Sequence, residues 1–259
     1  MDSGLRYEGA AERRAWILAT LQATAFVSIT DLARELEVSQ MTIRRDLHAL
    51  ESTGHVRLVH GGASLTAGAL RSAVFPEDQH TEPRDRVGRR AAGLIGPTDT
   101  VAIDAGPTAY AIARALPGDF AGCVITHSLP VLQYLADRPA IRVVGLGGEL
   151  VTDRRAFVGP TTVAALAELR VRTFFLAPSA IDVRGTYSGS PAEASVQRQL
   201  MEIADQVILV ATSEMFSTSA PARIAPLTRM RAWVADRLPP SDLAEAMGRA
   251  GVVPHVAGH

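Results

Sequence analysis

Short apolar runs separated by helical stretches constrain the fold of this 259-residue chain more than any other feature. The apolar runs are residues 101–103, 123–125, 141–144, 174–176 and 207–210, with a shorter one at 232–234. Helical patterns lie between them, near residues 108–116, 129–136, 160–169 and 193–203. Strands this apolar are buried on both faces, which is typical of a parallel sheet covered by helices. The sequence therefore predicts an open, mostly parallel α/β sheet.

Residues 39–50 predict a helix with two different faces. The Ser39 hydroxyl can cap this helix by accepting a hydrogen bond from an amide of the first turn. Ile43, Leu47 and Leu50 follow one another at spacings of four and three, so they share an apolar face. The other face carries hydrogen-bond donors, which are Gln40, Thr42, Arg44, Arg45 and His48. Arginine can read guanine, glutamine can read adenine, and either can bind phosphate, so these donors and Ser39 are candidate DNA contacts.

The segments before this helix complete a helix-turn-helix pattern. A supporting helix is predicted over residues 12–22, because Ile17, Leu18 and Leu21 fall on one face. A second helix is predicted over residues 31–36, with Ser28 or Thr30 as its N-cap. Residues 37–38 then form a tight turn into the donor-bearing helix, which is the helix-turn-helix arrangement.

A short strand with a glycine turn follows, as in a winged helix-turn-helix. Residues 55–60 alternate basic and apolar before Gly61-Gly62. The side chains placed to contact backbone phosphate are Arg57 and His60. Residues 12–63 as a whole resemble the winged helix-turn-helix of the DeoR family of bacterial transcription regulators. The segments that carry the resemblance are residues 12–14, 27–33, 38–39, 42–47 and 59–63.

Polar or small residues follow each of the five longer predicted strands. In open α/β sheets, a ligand binds beyond the carboxyl ends of the strands. Glycine allows close backbone approach there, and the following helix N-termini offer free amides. The five loops together predict one polar pocket. The same residue types are common in ordinary strand-to-helix turns, so each loop taken alone also has a purely structural explanation.

The C-terminal half resembles the sensor domain of the same family. The matching stretches are residues 104–106, 126–130, 146–150, 158–160 and 181–182, with Glu193. That domain is similar in fold to ribose-5-phosphate isomerase, and the resemblance implies a phosphorylated sugar or related metabolite as effector and a dimer or larger homo-oligomer. The candidate effector-binding residues are Asp104, Gly106, Thr108, Thr126, His127, Ser128, Gly147, Gly148, Glu149, Asp182, Glu193 and Glu214.

The chain departs from the family pattern in three places. Pro107 replaces a threonine, and residues 177–180 read Ala-Pro-Ser-Ala where the family has Gly-Ala-Asp-Gly. In the family pattern a lysine faces the phosphate of the ligand, and Glu214 stands at that position here. The chain contains no lysine. A carboxylate ~4 Å from a phosphate costs about 4 kcal/mol at an effective dielectric of roughly 20.

Arginine could offset this repulsion, and the candidates are Arg154, Arg155, Arg184 and Arg223. We expect none of them to compensate fully. The prediction is therefore a neutral or weakly charged polyol, sugar or lactone as effector, or a much weakened response to phosphorylated sugars.

Composition excludes several classes of protein. The net charge is −1, and residues 1–63 carry seven arginines against eight acidic residues, so the basic signal is local and non-specific DNA affinity is modest. The single cysteine, Cys123, excludes a disulfide within the chain. No apolar run reaches the length of a membrane span or forms a signal core, so we expect a cytoplasmic protein without a membrane partner. The histidines lack carboxylate or cysteine partners at ligand spacing, so no metal and no cofactor are predicted.

The predicted organisation is a DNA-binding domain at residues 10–63, a linker at 64–83, a sensor domain at 84–240 and a C-terminal helix and tail at 241–259. The predicted function is repression of a carbohydrate catabolic operon, through a double-stranded operator from which a sugar-derived effector releases the protein. Two alternatives stay open, which are a DNA-binding protein without an effector and a sugar-phosphate isomerase. An isomerase needs a carboxylate base and a phosphate-binding cation, and a DNA-binding module has no place in it, so an enzyme is not expected.

Overall fold

The computed structural model of the chain describes residues 9–24, 26–52, 56–59, 61–65 and 81–257. The chain divides into two compact units, residues 1–77 and 78–259. The division falls inside the predicted linker, most of which lies outside the described residues, as does His60 of the predicted wing. Within the described residues, no helix has both the length and the apolar character needed to cross a membrane.

The N-terminal unit contains three helices and a small antiparallel sheet. Its elements are α1 (Ala10–Thr24), β1 (Phe26–Ser28), α2 (Ile29–Glu35), α3 (Gln40–Ser52), β2 (Val56–Val59) and β3 (Gly62–Leu65). The strand order is β1-β3-β2. This confirms the helix-turn-helix and the wing, whereas β1 had not been predicted. The core of the unit consists mainly of aliphatic side chains from the three helices, among them Ile17, Leu21, Leu32, Ile43 and Leu47.

Two local features set the helix-turn-helix geometry. The Ser28 hydroxyl accepts hydrogen bonds from the amides of Thr30 (3.2 Å) and Asp31 (3.4 Å), so Ser28 is the N-cap of α2. Glu37 adopts a left-handed conformation with φ of 52°, which lets the chain reverse within the short turn between α2 and α3. The turn predicted at residues 37–38 is therefore confirmed.

The C-terminal unit is built on a seven-stranded sheet in which every neighbouring pair is parallel. Its strands are β4 (Thr100–Ile103), β5 (Cys123–Thr126), β6 (Arg142–Gly145), β9 (Val171–Leu176), β12 (Ala204–Ala211), β14 (Ala232–Ala235) and β15 (Val253–Val256). The helices are α4 (Glu82–Ala92), α5 (Pro107–Ala115), α6 (Leu129–Leu135), α7 (Pro160–Ala164), α8 (Pro191–Glu202) and α9 (Ser241–Arg249). The predicted open, parallel α/β sheet is confirmed.

Smaller elements decorate the main sheet. Strands β7 (Glu149–Val151) and β8 (Ala156–Val158) form a hairpin, and β10 (Ala180–Asp182), β11 (Gly185–Ser188) and β13 (Ala222–Ala225) form a second antiparallel sheet. Two 3₁₀ helices span Ser213–Phe216 and Leu227–Arg229. The hairpin follows the carboxyl end of β6, β10 and β11 follow that of β9, and the first 3₁₀ helix follows that of β12, so these elements lie at the edge where the pocket was predicted.

Two segments differ from the sequence prediction. Helix α7 stops at Ala164, because the amides of Leu166 and Ala167 bond to carbonyls three residues back and tighten the chain into turns. Residues 253–256 form edge strand β15 rather than tail. Pro254 argues against a strand in the sequence, but an edge strand tolerates a residue without an amide donor.

The order of the main sheet is β15-β14-β12-β9-β4-β5-β6. From β4 the chain first builds outward through β5 and β6, and it then returns to the other side of β4 with β9. The strand order therefore reverses between β4 and β9. In open α/β sheets, this is the place where loops part and a ligand-binding crevice forms.

Candidate functional sites

Helix α3 presents a core face and an exposed face. Its buried residues are Ile43, Asp46, Leu47 and Leu50. At about 100° per residue, the side chains directly opposite this face are those of Met41, Arg45 and His48, and all three are exposed. Gln40 and Arg44, four residues apart, are also exposed but lie together towards one flank of this line. The structure thus places the predicted base-reading residues in solvent on one helix.

Arg44 and Arg45 have different surroundings. Arg44 and His48 line a groove of about 390 Å³ together with Ile29 at the start of α2 and wing residues. The wing residues of this groove are Leu58, Val59, Gly61 and Gly62. Arg45 does not line the groove. Within the described part of the chain, neither guanidinium has an ion-pair partner, so both charges are available to an external anion.

Asp46, which follows the two arginines, points into the protein instead. Its carboxylate lies 2.6 Å from Nε of Arg13 and 3.9 Å from Nη1 of Arg14, and its side chain is only 3% exposed. Both arginines belong to α1, so this ion pair fixes α1 against α3. The sequence pattern did not reveal this role, because a carboxylate beside two arginines looks like a solvated residue.

The remaining predicted DNA contacts lie at the start of α3 and on the wing. The Ser39 hydroxyl accepts a hydrogen bond from the Thr42 amide at 3.1 Å and lies 2.9 Å from the Thr42 hydroxyl, so both side chains take part in the cap. Arg57 is exposed on β2. His60 lies outside the described residues.

In the C-terminal unit, Asp104 lies at the end of β4, where the strand order reverses. It is fully buried, and its Oδ1 accepts hydrogen bonds from the Ala105 amide (2.8 Å) and Nε2 of His127 (2.9 Å). Its Oδ2 accepts from the Ala177 amide and from Nε2 of Gln197, both at 2.9 Å. One carboxylate therefore joins the ends of β4, β5 and β9 to helix α8.

His127 is held between two acceptors. Its Nδ1 lies 2.9 Å from the Phe157 carbonyl oxygen, and its Nε2 lies 2.9 Å from Asp104. Both partners can only accept, so both ring nitrogens donate and the imidazole is protonated. Burial alone would lower the pKa of His127, but the hydrogen bond and charge of Asp104 outweigh it and the pKa is raised. Asp104 and His127 form a buried ion pair.

A second ion pair lies nearby. Nε of Arg154, in the β7–β8 turn, is 3.0 Å from Oε1 of Glu193, and its Nη2 is 3.3 Å from the Ser179 hydroxyl. The Ser188 hydroxyl donates to the other oxygen of Glu193 at 3.4 Å. Glu193 is buried, whereas Arg154 is exposed. The negative charge of Glu193 contributes to the raised pKa of His127, so the two pairs are electrostatically linked.

Several predicted effector residues have structural partners in the loops. Thr126 Oγ1 accepts from the Ser128 amide, and Ser128 caps α6 by accepting from the Val131 amide. Gly148 has a φ of 148°, and a Cβ there would come within 2.0 Å of Oγ1 of Thr162. Thr162 in turn donates to the Gly147 carbonyl at 2.8 Å. These residues shape the loops, and their contact with an effector remains a prediction.

The other predicted effector residues are spread along the same edge. Gly106 is the N-cap of α5, with φ of 103°. Glu149 is exposed at the start of β7. Asp182 closes the β10–β11 turn, because its Oδ2 accepts hydrogen bonds from both Nε (3.0 Å) and Nη2 (2.7 Å) of Arg184. These bonds outweigh the effect of burial and lower the pKa of Asp182.

Glu214 is not the uncompensated carboxylate that the sequence suggested. Its Oε2 lies 3.0 Å from Nη2 of Arg84 on α4, and its side chain is 67% exposed. Arg84 was not among the four arginines considered for this role. The sequence could not indicate this pair, because residues 84 and 214 are 130 positions apart and only the packing of α4 brings them together.

Three buried polar atoms near the strand ends have no hydrogen-bond partner within the described residues. They are Oγ1 of Thr108 in the first turn of α5, Oε1 of Gln197 and Oγ1 of Thr212, which follows β12. Buried polar atoms are normally satisfied by protein, water or ligand. Gln197 had not been predicted, although it lies four residues after Glu193 and so shares its face of α8. Within the described residues, no cluster of side chains could hold a metal ion.

Comparison with known proteins agrees with this two-part architecture. The family model described as DeoR-like helix-turn-helix domain matches residues 13–67, and the DeoR C terminal sensor domain matches residues 79–237. The lactose phosphotransferase system repressor of Lactococcus lactis subsp. lactis is 31% identical, over 77% of this chain and 80% of its own. The transcriptional repressor GlcR of Bacillus subtilis is 28% identical, over 93% and 94%.

Among solved structures, ribose 5-phosphate isomerase A from Methanocaldococcus jannaschii matches 55% of this chain and 55% of its own, with 14% identity and a TM-score of 0.39. The sensor-domain model alone spans more than half of the chain, and the helix-turn-helix model spans most of the rest. The chain therefore belongs to the DeoR family of transcriptional regulators.

Proposed function

We propose that this protein represses a carbohydrate catabolic operon by binding its operator through α3, and that a sugar-derived effector releases it. The observation that carries the DNA half is the exposed face of α3, opposite its buried face, on which Arg44 and Arg45 have no ion-pair partner among the described residues. The relatives named as repressors, one of them of a lactose phosphotransferase system, support the regulatory role.

The surroundings of the two arginines suggest a division of labour. Adjacent residues on a helix point about 100° apart, so Arg44 and Arg45 cannot address the same base. Arg45 lies on the outermost line of α3, which enters deepest into a major groove, so we assign it to a base edge. Arg44 lies on the flank of α3 beside the wing, where a helix in the groove approaches the DNA backbone, so we assign it to a phosphate.

We assign supporting contacts to the remaining polar side chains. Gln40 lies in the first turn of α3 and can reach a base edge, and His48 follows Arg45 on the outward face. Arg57 on β2 is exposed for phosphate contact, and Ser39 and Thr42 fix the start of the helix. His60 keeps the phosphate contact proposed from the sequence.

The effector half of the proposal rests on the strand ends around Asp104. The crevice between β4 and β9 is where a ligand binds in this type of sheet. The unpartnered atoms of Thr108, Gln197 and Thr212 offer polar partners to hydroxyl groups. Arg154 is the exposed part of the Glu193 ion pair and can exchange that partner for a ligand.

The charges of this region favour a neutral effector. His127 is paired with Asp104, Arg154 with Glu193 and Arg84 with Glu214, so each cation is matched by a carboxylate. An anionic effector would need a surplus positive charge to replace its water, and these pairs supply none. We therefore propose a neutral polyol, sugar or lactone as the effector. The reason is that the cations of this region are paired with carboxylates, and not that Glu214 lacks a partner.

We also propose a homodimer or tetramer. A single winged unit buries little DNA surface, and two units on a pseudo-palindromic operator gain affinity by being linked. Analytical ultracentrifugation at micromolar concentration should give a species larger than a monomer. A strictly monomeric protein with and without operator would contradict this part.

The operon assignment is tested by genome-wide footprinting of the full-length protein in the host. Bound sites should lie next to genes for the uptake or breakdown of one sugar, and that sugar family then supplies the effector panel. Any member that binds only the folded protein must raise its melting temperature. Footprints without neighbouring sugar genes would refute the operon assignment. Operator binding without any stabilising ligand would favour a regulator that has lost its effector.

A further inference from the structure

One large apolar side chain of the DNA-binding unit is excluded from its core. Met41 is 71% exposed, more than any other large hydrophobic residue of the described chain. It lies in the first turn of α3, opposite the buried Ile43 and Leu47. Single exposed hydrophobic residues are common, so exposure alone carries no function. Its position on the helix is the informative part.

The neighbours of Met41 on the outward face are cationic or polar. Arg45 and His48 follow at spacings of four and seven residues, so the three side chains form one line along the helix. A protein partner for this line would need acidic groups around an apolar contact. A DNA major groove supplies both features at once, because phosphates border it and the 5-methyl groups of thymine project into it.

We propose that Met41 contacts the 5-methyl group of a thymine in the operator and so determines specificity at that base pair. The proposal rests on α3 being the recognition helix. The first turn of such a helix reaches base edges, and apolar side chains discriminate thymine through its methyl group. Met41 and Arg45 are about 6 Å apart along the helix axis, and base pairs stack about 3.4 Å apart. The thymine should therefore lie within about two base pairs of the base that Arg45 contacts.

The test removes one methyl group from the DNA and its partner from the protein. An operator duplex is selected from a random library with the wild-type protein, and each thymine is replaced in turn by deoxyuridine. At one position, wild-type affinity should fall about fourfold, the equivalent of ~0.8 kcal/mol for one buried methyl group. Met41→Ala should bind the thymine and deoxyuridine duplexes equally, and Met41→Leu, which keeps an apolar side chain, should restore the difference.

Controls separate this contact from folding and from the recognition helix itself. Because Met41 is exposed, Met41→Ala should leave the melting temperature unchanged. The proposal fails if no deoxyuridine position affects the wild type, or if the difference persists in Met41→Ala. It also fails if Met41→Ala changes the oligomeric state without DNA, since the side chain would then serve a protein interface. When the Met41 test fails, Arg45→Ala in the same assay shows how far the failure extends. A loss of affinity in Arg45→Ala means that only the role of Met41 is refuted. Unchanged affinity in Arg45→Ala means that the assignment of α3 as the recognition helix is refuted as well.

Discussion

Replacing Asp46 should destabilise the DNA-binding unit far more than an ordinary surface charge would. Asp46→Ala removes the partner of Arg13, whose side chain is only 13% exposed, and leaves a largely buried guanidinium unpaired. Removing one member of a buried pair costs about 3–5 kcal/mol, and the partial exposure of Arg13 places this case near ~3 kcal/mol. A unit of this size has a total unfolding free energy of roughly 3–8 kcal/mol. The variant should therefore be close to unfolded at growth temperature.

Tryptophan fluorescence can follow this unit alone. The chain has two tryptophans, Trp16 in α1 and Trp233 in β14, so a Trp233→Phe background leaves Trp16 as the reporter. In that background, Asp46→Ala should lower the melting temperature of the Trp16 transition by more than about 10 °C.

The matched control is Asp31→Asn, which breaks an exposed pair with Arg34 on α2 of the same unit. Exposed pairs contribute about 0–1 kcal/mol, so this control should melt close to the parent. Equal melting temperatures for Asp46→Ala and Asp31→Asn would refute the structural role of the Arg13–Asp46 pair.

Three further predictions concern the sensor unit. The pKa of His127 is raised, so its stabilising contribution is complete below the unfolded value of about 6.5 and is lost as pH rises through the folded value. The melting temperature followed by Trp233 fluorescence should therefore fall more steeply with rising pH in the wild type than in His127→Gln. If melting temperature depends on pH equally in the two proteins, the ion pair is contradicted. Gly148→Ala should lower the free energy of unfolding by more than ~2 kcal/mol, because the new Cβ would lie 2.0 Å from Thr162 Oγ1. A Cβ at Gly147 has no atom within contact distance, so Gly147→Ala is the control and should leave stability unchanged. Equal melting temperatures for the two variants would refute the clash. Glu214→Lys replaces a carboxylate with a cation, so in calorimetric titration the variant should bind a phosphorylated sugar roughly tenfold more tightly than the wild type does. Tight phosphate-ester binding by the wild type would contradict the neutral effector.

The periodic parts of the fold were predictable because burial repeats along the sequence. The apolar runs at residues 101–103 and 207–210 sit in the centre of the sheet, and Ile43, Leu47 and Leu50 lie on the buried face of α3 as their spacing predicted. Such patterns depend only on neighbours a few residues away. Strand β15 was missed because an edge position, which is a tertiary property, decides whether a proline is tolerated there.

The candidate sites were predictable only in part, since their partners are distant in sequence. The sequence placed Asp104 and His127 at strand ends, and the family resemblance added Glu193. It did not reveal that Gln197 donates a hydrogen bond to Asp104 and that Arg154 pairs with Glu193. It compared Glu214 with nearby loops and missed Arg84, and it gave no indication of the ion pair between Asp46 and Arg13. In each case the pairing depends on helix packing, which local patterns do not encode.

The central claim is that α3 reads the operator, and the most direct test is the affinity of arginine variants for selected and altered duplexes over a range of salt. Arg45→Ala should lose ~1–3 kcal/mol on the preferred duplex and relax preference at one base pair. Arg44→Ala should weaken all duplexes alike and reduce the slope of log affinity against log salt by about 0.9. If both variants bind every duplex with the affinity and salt slope of the wild type, α3 is not the recognition helix.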